Sequence, residues 1–471
     1  MTPRRNRAPD SAALGGTLSL LCALALGASL LAPRAAAGGD WVTFIDETAT
    51  RIVADPEVGI SDVREKDFAV GDVDGDGDAD LIVVRKTPFT VAGGFRNVLF
   101  MNEGGVMVDR TDTLAPDFLD ATDDRDVELA DVDGDDWLDV VTAGTFGEQP
   151  RILMNLGRSG SGLWQGFVYE PDRLPVLTSL TGNGPKFCGL GVGDVTGNGK
   201  PDLYFSDYEN DMEDRLLIND GNGFFTDETA SRLTPTMVDS TFGTDADIAD
   251  MNGDGFNDII KDNASGTGGG DLEGGLAPAI SILYNDGTGQ FTFMDFVATD
   301  APYMVAPADF TQDDQLDLFV VDDGQDRYLI NAGNDAQGHA DFTTQQVNPS
   351  PATGFFGGNV AFADLDGDDV LDVLVSDVDT DAPGCGRRLV LLQGQGEPPN
   401  VTYSDPVAAS RPWTPSGTHD VAAMHIDNDG ALDLWIGTCT GTLVFMGIND
   451  GFIFGDGFET GDTAAWSSTA P

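Results

Sequence analysis

One acidic turn of nine residues recurs seven times along this chain, and it constrains the fold more than any other feature. The first copy runs from Asp72 to Asp80 and reads Asp-Val-Asp-Gly-Asp-Gly-Asp-Ala-Asp. Successive copies begin 55 to 63 residues apart. Self-similarity at such a period is typical of a repeat architecture, in which each repeat forms one structural unit. The copies begin at Asp72, Asp131, Asp194, Asp250, Asp309, Asp364 and His425.

Each turn is followed by a short apolar run rich in β-branched and aromatic residues, which is typical of a strand. A third strand follows further along each repeat, as at 97–102, and a glycine-containing turn then leads into a fourth, as at 219–229. Four antiparallel strands in each of seven repeats predict an all-β fold. The prediction is a seven-bladed β-propeller with four-stranded antiparallel blades and calcium-binding loops.

The N-terminal segment offers a way to close the ring of blades. Residues 41–48 resemble the fourth-strand sequence at 224–229, yet they precede the first complete blade. They are therefore predicted to pair with the third strand of the last blade, near Leu443, which would remove two exposed sheet edges. The segment 452–454 is the alternative partner for that strand.

The residue types in the turn suit calcium, which takes six to eight oxygen ligands in a flexible cage. Carboxylates at positions 1, 3 and 5 point inward, and glycines at positions 4 and 6 allow a sharp bend. The carbonyl of position 7 and a bidentate Asp at position 9 would complete the cage. An EF-hand is excluded because position 12, Val83 or Thr142, falls within a predicted strand. The alternative is a solvated turn that binds nothing.

The seven copies differ in their ligands. The first, second, fourth and sixth turns are predicted to be strong sites, and the third, fifth and seventh to be weak or empty, since Thr196, Thr311 or His425 replaces an Asp. The candidate ligands are Asp72, Asp74, Asp76 and Asp80; Asp131, Asp133, Asp135 and Asp139; Asp194, Asn198 and Asp202; Asp250, Asn252, Asp254 and Asp258; Asp309, Asp313 and Asp317; Asp364, Asp366, Asp368 and Asp372; and Asp427, Asp429 and Asp433.

The turn and its flanking strands resemble the FG-GAP/VCBS repeat family, which forms the propeller of the integrin alpha-subunit head and of many secreted bacterial proteins. The resemblance covers residues 41 to 451, and the bacterial branch fits better than integrin because the Phe-Gly and Gly-Ala-Pro signature is poorly kept. It implies seven blades with calcium between the first and second strands of a blade. Residues 452–471 resemble a C-terminal tail of exported proteobacterial proteins.

The ends of the chain and its charge indicate where it works. Residues 1–37 are predicted to be a secretory signal peptide, with basic residues, an apolar run over 12–32 and small residues at 35–37; an uncleaved membrane anchor is the alternative. The propeller is assigned to 38–451 and the tail to 452–471. A net charge of −56 argues against nucleic acid and anionic membranes as partners. We expect a secreted or cell-envelope bacterial protein, monomeric and not inserted in a membrane.

Three cysteines remain after the predicted signal peptide. Cys385 and Cys439 fall between the second and third predicted strands of adjacent blades, so their loops share one face of the propeller. A disulfide between them is expected in an exported protein. Cys188 lies at the start of a predicted inner strand and is expected to stay free.

Acidic residues also recur five positions before several turns, at the start of the predicted inner strands. If they line the central channel, they form an acidic rim that binds a ligand; the alternative is that they accept hydrogen bonds from the backbone of the neighbouring blade. The candidate rim residues are Asp67, Asp126, Asp245, His419 and Asp420.

The sequence favours a binding module for glycans or proteins over an enzyme, and it names no catalytic residue. A polysaccharide lyase or dehydratase is the alternative, and its chemistry needs a base such as histidine. His419 is the one candidate near the predicted channel mouth, since His425 lies in a turn and His339 in a predicted loop. A structural component of the cell envelope is a third interpretation.

Overall fold

The computed structural model describes residues 41–87, 91–207, 212–238, 243–263, 279–299, 302–322, 325–347, 358–376, 389–404, 415 and 417–448. Within these residues the strands form seven antiparallel sheets arranged as the blades of a propeller. The predicted fold class is therefore confirmed. The predicted signal peptide and C-terminal tail lie outside the described residues.

The strands are numbered in chain order. They are β1 (Phe44–Asp46), β2 (Ile52–Val53), β3 (Glu65–Gly71), β4 (Asp80–Lys86), β5 (Val98–Asn102), β6 (Met107–Asp109), β7 (Asp124–Ala130), β8 (Asp139–Gly144), β9 (Arg151–Asn155), β10 (Phe167–Tyr169), β11 (Phe187–Gly193), β12 (Asp202–Asp207), β13 (Arg215–Asn219), β14 (Phe225–Asp227), β15 (Ala246–Ala249), β16 (Asp258–Asn263), β17 (Ala279–Asn285), β18 (Phe291–Thr299), β19 (Pro302–Ala308), β20 (Asp317–Asp322), β21 (Arg327–Asn334), β22 (Ala340–Gln346), β23 (Val360–Ala363), β24 (Asp372–Ser376), β25 (Leu389–Gln395), β26 (Thr402–Ser404), β27 (Thr418–Met424), β28 (Asp433–Thr438) and β29 (Gly441–Gly447).

Each blade is a meander whose first strand is innermost. The first six blades begin at β3, β7, β11, β15, β19 and β23, and the seventh begins at β27. The first strand of every blade contacts the first strand of the next one, all the way round the ring. The short strand β2 adds a fifth strand to the first blade by pairing in parallel with β6.

Both faces of a blade are buried, which explains why the second and third strands read as continuous apolar runs. In the first blade, Leu81 and Phe100 face the seventh blade, where the ring of Phe100 lies 4.9 Å from that of Trp435. Ile82 points the opposite way and packs with Val140 of the second blade. The hydrophobic core therefore lies in the layers between blades.

The N-terminal strand closes the ring, as the sequence predicts. β1 pairs antiparallel with β29, with Phe44 opposite Gly447 and Asp46 opposite Phe445. The seventh sheet is thus completed by the beginning of the chain, and its order is β1-β29-β28-β27. The alternative segment 452–454 lies outside the described residues.

Helices are short in the described part of the chain. They are α1 (Thr48–Arg51), α2 (Thr111–Leu114) and α3 (Thr229–Arg232), with 3₁₀ turns at Pro116–Leu119 and Pro171–Arg173. Among the residues described, no helix is long and apolar enough to cross a membrane.

The described cysteines fall on two different blades. Cys188 is buried in β11 and is free, and burial raises the pKa of its thiol to about 12. Cys439 is disulfide-bonded and lies in the turn between β28 and β29. Its predicted partner, Cys385, lies outside the described residues, so this pairing stays a prediction.

Peptide mapping of the unreduced protein tests that pairing. We expect one cross-linked peptide pair that joins Cys385 to Cys439, because both residues are predicted to lie between the second and third strands of adjacent blades. Alkylation of the unfolded, unreduced protein should label Cys188. A cross-link that contains Cys188 would contradict both the pairing and the assignment of residues to blades.

Candidate metal centres in the acidic turns

The seven acidic turns share one backbone shape, even where their side chains differ. In the first turn Gly75 and Gly77 have positive φ angles of 73° and 98°. Where glycine is replaced the backbone still adopts positive φ, as at Asp136 (69°), Gln312 (55°) and Asn428 (57°). Asp and Asn tolerate this left-handed region better than other side chains. The side chains, rather than the backbone, therefore decide which turns suit a metal ion.

The aspartate at position 1 holds the turn in this shape. In the first turn, the amides of Gly75 and Asp76 donate to Asp72 Oδ1 at 2.8 and 3.1 Å, and the amide of Gly77 donates to Asp72 Oδ2 at 3.0 Å. The amides at positions 5 and 6 make the same bonds in the other turns that begin with Asp. Those position-1 residues are Asp131, Asp194, Asp250, Asp309 and Asp364.

The aspartate at position 9, which we call the closing aspartate, joins three strands of its blade. Asp80 begins β4, and its Oδ2 accepts the amide of Val73 in the turn at 3.2 Å. Its Oδ1 accepts the amide of Asn102 at the end of β5 at 2.8 Å. The same two bonds occur in all seven blades. The remaining closing aspartates are Asp139, Asp202, Asp258, Asp317, Asp372 and Asp433.

An asparagine of the third strand connects five of the seven turns to the next blade, and sequence reasoning missed this role. Asn155 of the second blade donates its Nδ2 to the carbonyl of Val73 in the first turn at 2.7 Å. Five blades make this bond, whereas Gly394 and Gly447 take the position in the sixth and seventh. The sequence did contain a signal for this role, because Asn recurs before the glycine-containing turn that joins the third and fourth strands. The five residues are Asn102, Asn155, Asn219, Asn285 and Asn331.

Three turns bring the carboxylates of positions 1, 3 and 9 together, with ligand oxygens within 4.8 Å of one another. These groups are Asp72, Asp74 and Asp80; Asp131, Asp133 and Asp139; and Asp364, Asp366 and Asp372. They belong to the first, second and sixth turns, which are three of the four predicted strong sites.

Two of these clusters contain a buried oxygen that has no hydrogen-bond partner. Oδ1 of Asp133 and Oδ1 of Asp366 are both shielded from solvent and accept no hydrogen bond. An unsatisfied buried carboxylate oxygen is costly, so such an atom indicates that the site is completed by another group. Oxygen-only donor sets of this kind fit calcium.

Burial affects the protonation of the closing aspartates. It raises the pKa of Asp80 to about 8 and that of Asp139 to about 7, although backbone amides oppose the shift and neighbouring turn carboxylates reinforce it. In the sixth turn burial likewise raises the pKa of Asp372 to about 8. A cation bound in the turn would favour the charged form and lower these pKa values.

The fourth turn keeps the arrangement of the first but has an amide at position 3. Asn252 Oδ1 accepts the amide of Asp254 at 3.1 Å, as Asp74 Oδ1 accepts that of Asp76 at 3.0 Å. Asn252 Nδ2 donates to the carbonyl of Gly338 in the fifth blade at 3.0 Å. The amide oxygen therefore occupies the place of a ligand carboxylate.

Polar side chains of the third and fifth turns form hydrogen bonds within the protein. Asn198 donates its Nδ2 to the carbonyl of Asn219 at 3.1 Å. Thr311 donates its hydroxyl to Asp317 Oδ2 at 3.3 Å. That these two turns are weak or empty metal sites stays a prediction.

The four candidate rim acids are buried, and three of them accept a hydrogen bond from the backbone of the neighbouring blade, which is the alternative that the sequence left open. Asp420 Oδ2 accepts the amide of Phe68 in the first blade at 3.0 Å, and Asp126 Oδ2 accepts the amide of Leu190 in the third at 2.8 Å. Asp245 Oδ2 accepts the amide of Val305 in the fifth blade at 3.3 Å.

This end of the inner strands carries charges of both signs, so the expectation of an acidic mouth needs correction. Lys66 is 3% exposed beside Asp67, and Lys86 pairs with Glu65 at 2.9 Å. His419 is also buried, and burial together with the charge of Lys66 lowers its pKa to about 4. Its imidazole is therefore neutral near pH 7.

Comparison with known families agrees with the repeated turn. A profile described as an FG-GAP-like repeat matches residues 194–260 and 309–375. Each matched range begins at an acidic turn, the third or the fifth, and runs through the next acidic turn into the strand that follows it. These two parts of the propeller are therefore similar to FG-GAP-like repeats. No curated protein matches the sequence.

Two solved structures are similar to this chain at low sequence identity. One is an Agrocybe aegerita lectin that recognises non-reducing terminal N-acetylglucosamine, with a TM-score of 0.46, 16% identity, and coverage of 80% of this chain and 86% of that one. The other is the V. cholerae biofilm matrix protein Bap1, with a TM-score of 0.33 and 13% identity over 88% of this chain and 64% of that one. At these values neither structure assigns a ligand.

Metal binding by the turn and its hydrogen bonding to the strands of the blade can be separated by conservative substitutions in the first blade. Asp74→Asn keeps the acceptor for the Asp76 amide but removes one ligand charge, so it should lower the melting temperature in calcium and leave it unchanged in excess chelator. Asp80→Asn exchanges an acceptor oxygen for an NH₂ group and loses one buried bond, which costs about 1–3 kcal/mol. It should lower the melting temperature in both conditions.

Differential scanning calorimetry of the two variants and the wild type, with calcium and with chelator, measures this difference. Wild-type protein should melt at a higher temperature in calcium. An Asp80→Asn variant that melts like the wild type in chelator would contradict the structural role of the closing aspartate.

Proposed function

We propose that this protein is a secreted, monomeric, calcium-loaded propeller that acts as a recognition or adhesion module. The observation that carries the calcium assignment is the buried, unpartnered oxygen of Asp133 and of Asp366 within clusters of converging carboxylates. The first, second, fourth and sixth turns are the proposed sites. The disulfide at Cys439 supports export, because disulfides persist in oxidising compartments.

Calcium would add stability at each site by mass action. If free calcium exceeds the dissociation constant about tenfold, each site contributes about 1.4 kcal/mol to the free energy of unfolding. Four sites then contribute about 6 kcal/mol, which is comparable to the net stability of a domain. Bound ions would also offset part of the repulsion within a chain of net charge −56.

A glycan or protein is the proposed ligand class, and an aromatic surface between the fourth and fifth blades supports a glycan. Phe293 on β18 is 43% exposed, and the His339 ring stacks on it with centroids 3.9 Å apart and an interplanar angle of 4°. Flat aromatic faces that remain open to solvent are suited to contact with a ligand.

The lyase alternative is weakened by the environment of His419. A general base needs a pKa near the working pH and access to the substrate. His419 is 6% exposed and burial holds its pKa near 4, so it is poorly placed for that role.

A glycan array probed with the calcium-loaded protein tests the recognition role. We expect binding to a restricted set of glycans that weakens at least tenfold in chelator, because the turns shape the loops between blades. Phe293→Ala should weaken binding without lowering calcium-dependent stability. Leu163→Ala is the matched control, since Leu163 is 71% exposed on the second blade.

Binding that Phe293→Ala and Leu163→Ala reduce equally would contradict the aromatic surface as the contact site. Release of unsaturated products from acidic polysaccharides would instead favour the lyase.

A further inference from the structure

The seventh turn has lost two of the oxygens that a calcium site needs. His425 replaces the aspartate at position 1. Its Nδ1 lies 2.7 Å from the carbonyl oxygen of Ala431, which is position 7 of the turn. Because a carbonyl only accepts hydrogen bonds, the imidazole nitrogen is the donor in this contact. The carbonyl that would face a metal ion therefore binds a side chain of the same turn.

A guanidinium group binds the carboxylate at position 3 of this turn. Arg51 Nη2 donates to Asp427 Oδ2 at 2.8 Å. Its Nε donates to Glu47 Oε2 at 2.7 Å, and its Nη1 donates to the carbonyl of Gly105 at 2.8 Å. The side chains of Arg51 and Asp427 are 19% and 24% exposed, respectively. Three directed bonds in a partly buried site hold the guanidinium in one position.

Arg51 lies where the ring of blades closes. The preceding strand β1 belongs to the seventh blade, and the following strand β2 pairs with β6 of the first blade. The guanidinium thus contacts Asp427 in the seventh blade and Gly105 in the first. Asn428 of the same turn donates its Nδ2 to Asp78 in the first turn at 2.7 Å. The seventh turn is therefore tied to the first blade by side chains.

An arginine near position 3 is not by itself a replacement for calcium, as the second turn shows. Arg173 also binds a glutamate, Glu170, and a carbonyl of the next blade, that of Asn222. Its Nη2, however, lies 3.7 Å from Asp133 Oδ2. The second turn also keeps Asp131 at position 1 and leaves Asp133 Oδ1 free to bind an ion.

We propose that the seventh turn takes the Arg51 guanidinium as its cation in place of calcium, so that closure of the ring does not depend on the metal. This inference rests on the proposed function, in which other turns hold calcium. On this proposal, Arg51 and His425 are the two residues that keep the seventh turn free of metal. The contacts of Arg51 that join the seventh blade to the first would then persist when calcium is removed.

Counting bound ions tests the proposal. Isothermal titration of the chelator-stripped mature protein with calcium gives the number of ions for each variant. We expect Asp427→Ala to leave the number unchanged, and Asp74→Ala, which removes the position-3 oxygen from the first turn, to lower it by one. The double variant Arg51→Gln with His425→Asp restores four carboxylates and frees the carbonyl of Ala431, so it should bind one more ion than the wild type.

Thermal unfolding provides the second measurement. Arg51→Gln should lower the melting temperature by the same amount in calcium and in chelator. Arg173→Gln is the matched control, and it should leave the count of ions at the wild-type value because Asp131, Asp133 and Asp139 remain.

Loss of one ion in Asp427→Ala, or an Arg51→Gln variant that melts like the wild type in chelator, would overturn the proposal. If the wild type binds no calcium, the proposed function fails. The guanidinium contact is then judged by the melting of Arg51→Gln in chelator, where an unchanged melting temperature refutes it and a lowered one supports it.

Discussion

The rest of the propeller depends on the two hydrogen bonds that the buried closing aspartate of each acidic turn accepts. Its two oxygens accept one amide from the turn and one from the end of the third strand, as Asp80 does with Val73 and Asn102. A carboxylate is buried only where such bonds compensate for lost hydration. The same pair of bonds in all seven blades fixes how the first, second and third strands meet.

The turn also links one blade to the next, and it does so at the place where calcium is proposed to bind. The carbonyl of Val73 accepts Asn155 of the second blade, while the amide of the same residue donates to Asp80. An ion bound by Asp72, Asp74 and Asp80 would therefore act on a point that already joins two blades. In the seventh turn Asn102 still donates to the carbonyl of Ile426, and Arg51 binds Asp427 at the position where an ion would bind in the first turn.

The period of the turns predicts the fold, because seven strand-bearing units of similar length leave few alternatives to a closed ring. The convergence of carboxylates was also predictable, since Asp at positions 1, 3 and 9 comes together in three turns. Contacts between residues that lie far apart in the chain could not be predicted from the sequence. The sequence does not show that Arg51 reaches Asp427, or that Asp420 binds the backbone at Phe68 rather than a ligand. These contacts depend on the packing of neighbouring blades.

A crystal structure of the mature protein grown in calcium, with the ions located by anomalous diffraction after exchange for a lanthanide, is the most direct test. The account predicts metal peaks in the first, second, fourth and sixth turns, and the Arg51 guanidinium on Asp427 in the seventh. A metal ion bound by Asp427, Asp429 and Asp433, or the absence of any peak from the turns at Asp72 and Asp131, would contradict it.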